Sequence, residues 1–196
     1  MSVPLILQED RLLPAEPGVR AIARALYAEV ADLPIVSPHG HTDPAWFATN
    51  APFGNASELL LQPDHYLFRM LYSQGIALER LGIGDQKADP REAWRLLAEN
   101  YHLFRATPSR MWLDWVFAKA FGIDVRLDSK TADFYYDTIT EALQRDEFRP
   151  RALFERYDIE VLATTESPLD TLEHHQAIRD SGWGGGVITA YRPDPV

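Results

Sequence analysis

The chain reads as an α/β protein in which a parallel sheet is interrupted by a long helical insertion. Two apolar, β-branched runs at residues 159–164 and 187–191 flank a helical pattern; strand, helix, strand with short loops implies parallel pairing. A third short apolar run, residues 33–37, carries prolines at 34 and 38 and reads as a buried strand. Between these, residues 44–158 are rich in helical periodicity, aromatics and segments that start with proline.

Taken in order, Val19, Ile22, Ala23, Leu26, Tyr27 and Val30 recur at helical spacing across residues 18–30, and Pro34 ends that pattern. Pro63 opens a shorter helix that runs to Gly75. Asp89 and Pro90 form an N-cap and first-turn proline, with Trp94, Leu97, Ala98, Tyr101 and Phe104 down one face. Pro108 opens a run carrying Met111, Trp112, Trp115 and Val116, which Gly122 stops. Thr131 is expected to cap a helix that turns Phe134, Tyr135, Ile139 and Ala142 inward. Ser167 with Asp170 at the third position should start the last helix, ending at Gly182.

Three regions follow: residues 1–43 with the first helix and strand, the helical insertion at 44–158, and 159–196 with two more strands and their helix. A closed eight-stranded barrel needs about 250 residues. The α/β part here falls far short of that, so the expectation is the front part of something larger.

Apolar side chains at 46% support a real core, and the formal net charge of -10 argues against nucleic acid as a partner. A small anion held by a few local arginines stays open. No window approaches the roughly 18–20 apolar residues of a spanning helix, and the start lacks the order of a secretory signal. With no cysteine there is no disulfide framework and a cytoplasmic location is expected. A metal would have to sit on His, Asp or Glu.

The sharpest feature is His39-Gly40-His41 after the first strand. In extended backbone residues i and i+2 face the same way, so two imidazoles can share one cation. Six histidines in 196 residues give about 0.2 such pairs by chance. An ordinary pair of hydrogen-bonded loop histidines competes with the metal reading, but the place is the catalytic end of a parallel strand.

His65, Tyr66 and Arg69 share a helix face and could bind a sugar acid or move a proton, or simply be wet. Arg192, after the last strand, could grip a carboxylate with its planar fork, or pair with Asp194 at the surface. His174 and His175 diverge by about 100° on a helix and cannot chelate one ion; partial burial of His175 is expected. His102, among Tyr101, Leu103 and Phe104, reads as a satisfied core-edge histidine. Trp112, Trp115, Tyr135 and Tyr136 read as core. The run Trp183-Gly184-Gly185-Gly186 is a turn-rich connector and a poor phosphate loop.

In order, Leu33-Pro34-Ile35 leading into His39-Gly40-His41, then Asp64-His65-Tyr66, Phe121-Gly122-Ile123, Thr164-Thr165-Glu166-Ser167-Pro168 with Asp170 and His175, and Arg192-Pro193-Asp194 resemble uronate isomerase (glucuronate isomerase) of the amidohydrolase superfamily. The likeness covers essentially the whole chain and matches the N-terminal two-fifths of such an enzyme. It implies a distorted (β/α)8 TIM barrel with a large helical insertion after strand one. It also implies interconversion of D-glucuronate with D-fructuronate and D-galacturonate with D-tagaturonate. By resemblance, His39 and His41 are ligands of a divalent metal, with zinc expected. His65 and Tyr66 reach the active site from the insertion, and Arg192 contacts the sugar acid. A strand-eight aspartate, ligand and base, lies outside this chain; a homo-oligomer is expected.

Two departures stand out. The family's first-strand motif is commonly Asp-x-His-x-His-Leu, where this chain has Ser37 and Thr42. Near Trp112 a His and a Glu are common, where this chain has Asp114 and Val116. A metal-dependent amidohydrolase or lactonase on the same barrel is the rival function, and a non-enzymatic helical binding module is a third.

Overall fold

A computed structural model describes residues 3–85 and 87–193. The chain divides into two units: Met1–Leu12 with Phe53–Gln144, and Leu13–Pro52 with Arg145–Val196.

The second unit holds the sheet. Its first helix, α1 (Pro17–Val30), begins where the Glu16 carboxylate accepts the backbone N–H groups of Gly18 and Val19. Strand β1 (Ile35–Ser37) follows, then α2 (Pro44–Thr49), capped by Asp43. After the helical stretch come α7 (Pro150–Arg156), β2 (Ile159–Glu166), α8 (Glu173–Asp180) and β3 (Gly186–Tyr191). The order is β1-β2-β3 and both pairings are parallel, as the strand–helix–strand pattern requires. Gly186 stands opposite Val161. A Cβ there would come within 2.5 Å of the Glu160 carbonyl, so only glycine lets β3 approach β2 so closely.

Phe47, Phe154, Leu162, Ile178 and Val187 form the buried core of this unit. Trp183 stacks on Phe47 at 5.8 Å and meets Phe154 edge-on at 5.0 Å, while its Nε1 donates to Glu155. The indole therefore packs as a wall, which accounts for the connector it begins. Arg151 ties α7 to α2: its Nε donates to the Phe47 carbonyl at 2.8 Å.

The other unit is helical: α3 (His65–Ser73), α4 (Pro90–Asn100), α5 (Pro108–Trp115) running into a π turn at Val116–Ala120, and α6 (Ala132–Leu143). Asp64, Asp89 and Thr107 cap the first three of these; Pro90 and Pro108 take the first helical positions as expected, whereas Pro63 precedes the Asp64 cap and α3 begins at His65. Trp94, Tyr101, Phe117, Tyr135 and Leu97 are fully buried, with Phe117 and Tyr135 edge-to-face at 4.9 Å. Asp114 links Tyr101 and Arg110, so this departure from the family pattern has a packing role here. Burial, then the Asp114 charge, pushes the Tyr101 phenol far above its ordinary value, so it stays a neutral donor.

Several local expectations fail. Phe134, expected to face inward, is 51% exposed, and the first strand, expected to be buried, leaves Ile35 and Val36 exposed because β1 is an outer strand. The last helix starts at Glu173, because Asp170 reaches back to the Ser167 N–H while its own N–H bonds the Ser167 carbonyl. That closes a turn, and the chain becomes helical only after Leu172, at φ +57°. Thr131 is buried and donates to the Arg126 carbonyl, so its hydroxyl does not cap α6. Trp112 and Trp115 are 38% and 37% exposed and so lie at the core's edge. His102 is exposed, with its Nδ1 against the Glu99 carbonyl one turn back. No helix among the described residues is long and apolar enough to cross a membrane.

Candidate active site

Because the three strands are parallel, their C-terminal ends lie at one edge of the sheet. The residues that follow them are therefore neighbours however far apart they are in sequence. His39 and His41 follow β1, Thr165 lies near the end of β2, and Arg192 follows β3 directly. These side chains, with Ala190, Tyr191 and Pro193, line one cavity of about 370 Å³.

The two imidazoles converge. Their Nε2 atoms are 3.2 Å apart, with the rings edge-on at 79°. Two nitrogens on one tetrahedral zinc, each at about 2.0–2.1 Å, stand about 3.3–3.4 Å apart, so the donor pair fits such an ion. The same spacing also serves an imidazole–imidazole hydrogen bond. No group of three or more His, Asp or Glu side chains assembles among the described residues, which bring two imidazoles together there. Gly40 lies against β2: its carbonyl accepts from the Thr165 hydroxyl at 3.1 Å, and a Cβ on it would meet the Ala163 carbonyl at 3.4 Å. Ser37, where the family commonly has Asp, reaches the His39 carbonyl only at 3.5 Å. Asp194, the rival partner for Arg192, lies outside the described residues.

In the helical unit, His65 and Tyr66 open α3 side by side, ring centroids 4.2 Å apart, both exposed. Tyr66 borders a cavity of about 460 Å³ with Met70, Phe104, Thr107, Pro108 and Ser109.

Sequence reasoning missed a second polar group in the sheet unit. His175 is 3% exposed, more deeply buried than partial burial, with Nε2 at 2.9 Å from the Thr164 hydroxyl. That hydroxyl's single hydrogen goes to Glu166 at 2.7 Å, closer than the Ile188 carbonyl at 3.1 Å. Nε2 is therefore the protonated nitrogen and donates to Thr164, an assignment made from the network. Thr189 also donates to Glu166. The sequence grouped Thr164, Glu166 and His175 only within a motif that carries the resemblance; strand alternation sends Thr164 and Glu166 to one face of β2 and Thr165 to the other.

The glucuronate isomerase family model matches residues 7–196. The chain belongs to this family. A uronate isomerase of Sphingopyxis alaskensis is 70% identical over the whole chain, and one of Xanthomonas campestris pv. campestris is 67% identical. The chain spans 43% of the length of each. The crystal structure of glucuronate isomerase from Caulobacter crescentus superimposes with TM-score 0.94 at 61% identity, over 97% of this chain and 40% of that one. A uronate isomerase from Thermotoga maritima gives 0.83 at 29% identity. The uronate isomerase likeness thus covers both the helical unit and the parallel sheet.

Proposed function

We propose that this chain is the N-terminal part of a (β/α)8 barrel enzyme that isomerises hexuronates, D-glucuronate to D-fructuronate and D-galacturonate to D-tagaturonate. The observation that carries it is the single cavity shared by His39, His41 and Arg192 at the strands' C-terminal ends, where parallel barrels place their chemistry.

An aldose becomes a ketose when a proton leaves C2 and one arrives at C1, the O1 carbonyl becoming a hydroxyl and the O2 hydroxyl a carbonyl. The intermediate is an enediol(ate), and no outside oxidant or reductant is needed. A divalent metal, zinc by expectation, would be held by His39 and His41 and would polarise sugar oxygens as a Lewis acid. Arg192 receives the C6 carboxylate in two parallel charge-assisted hydrogen bonds, which orients the other end of the sugar. Tyr66 and His65 are the proton-handling pair of the proposal: a phenol and an imidazole, both exposed, serve as donor and relay toward sugar oxygens.

Family membership gives the rival hydrolase or lactonase no support. The full-length protein run on D-glucuronate in deuterated water should yield the ketose with deuterium at C1. Cleavage of uronolactones or amides with no ketose formed would overturn the proposal.

A further inference from the structure

We propose that Thr165 is a positioning residue that sets the separation of the His39 and His41 imidazoles by holding the carbonyl of Gly40. This rests on the reading above, in which the two histidines hold a metal.

A His-x-His pair binds one ion only if the intervening residue stays extended, and here that residue is glycine, whose backbone is the most permissive of all. The imidazoles meet at Nε2···Nε2 3.2 Å, and that contact places no direct restraint on the glycine backbone between them. The sheet supplies it from outside, at two points on the same residue. The Thr165 hydroxyl donates to the Gly40 carbonyl at 3.1 Å, across 125 residues of sequence, and a Cβ on Gly40 would meet the Ala163 carbonyl at 3.4 Å. Thr165 suits the task. It sits in β2, the central strand, where it pairs with Ala190 of β3, and branching at Cβ leaves its side chain few rotamers. Strand alternation turns its hydroxyl away from the His175–Glu166 network and toward the loop after β1.

Any backbone change at Gly40 that splays the rings would cost the ion one of its two imidazoles, so metal affinity falls with the fraction of time the pair is splayed. Loss of an outer hydrogen bond that orients metal ligands typically lowers affinity 10- to 100-fold. Thr165 also borders the cavity itself, so a direct contact with sugar is the competing role. A metal measurement without sugar separates the two.

The test uses the metal-free full-length protein titrated with Co²⁺ in the absence of sugar, reading visible d–d absorption and competition with a chromophoric chelator. T165V, of the same shape without the donor, should bind Co²⁺ about 10- to 100-fold more weakly, while T165S stays within about threefold of the unsubstituted protein. Thermal melting of the metal-free forms should agree within a few degrees, which shows that folding is intact. Unchanged Co²⁺ affinity in T165V, or equal weakening in T165S, would overturn the role of Thr165. A Co²⁺ spectrum in the unsubstituted protein that survives His39→Asn with His41→Asn would instead overturn the metal reading, and Thr165's role with it.

Discussion

Arg192 is the residue whose chemistry is easiest to isolate, because its fork has a geometric purpose that its charge alone does not. In the full-length enzyme, Arg192→Met should lower kcat/KM for uronates by about 100-fold or more, from loss of a bidentate carboxylate clamp. Arg192→Lys should recover only part of it. Kinetics equal to those of the unsubstituted protein would remove Arg192 from the site. That His39, His41 and Arg192 gather at one edge of the sheet was legible in sequence, because they lie just after strands and parallel strands share an end. Thr165, Glu166 and His175 were not legible as a group. Their partners lie 125, 23 and 11 residues away, and only the observed strand register decides them. His102, Trp112 and Trp115 were misjudged for a related reason: apolar neighbours in sequence do not say which side of a short helical turn faces the core.

Helix starts were the most readable elements, since a capping side chain followed by proline acts locally. Glu16 makes this testable by pH. The N–H groups of Val19 and then Gly18 hold its carboxylate below the ordinary 4.5. A folded value below the unfolded one means that the cap contributes above about pH 4.5 and fades as pH falls through the lowered value. Protection of the α1 amides against hydrogen exchange should therefore be greater in the parent protein than in Glu16→Gln at pH 7, with the gap closing below pH 4.5. A gap independent of pH would assign the effect to something other than the carboxylate. The start of α8 was misplaced because half of a capping box formed there and closed a turn instead. In the core of the sheet unit, Phe154 is 4% exposed between Phe47 and Trp183. Truncation by Phe154→Ala should cost about 3–5 kcal/mol in denaturant unfolding.

Taken whole, the 196 residues present apolar surface that their own fold does not cover. Val19, Ile22, Leu26 and Tyr27 of α1 are all at least half exposed, as are Val36 of β1 and Ile188 of β3. The helical periodicity of α1 was plain in sequence, yet no residue of it is buried here. β1 and β3 are the two outer strands of the sheet, each with one unpaired side. Expressed by themselves, these residues should self-associate, because open strand edges and apolar faces of this size recruit partners. A monodisperse, cooperatively melting monomer in sedimentation and calorimetry would contradict that. What periodicity could show was the strand–helix–strand order of the parallel sheet and the run of helices; the proposed barrel would need strands beyond the three seen here. The account as a whole turns on whether two imidazoles one glycine apart meet on a shared ion. Anomalous diffraction from crystals of the full-length protein grown with zinc decides it. A peak within about 2.0–2.1 Å of both Nε2 atoms is the expected result. Rings turned apart, with no anomalous peak between them at saturating zinc, would contradict it.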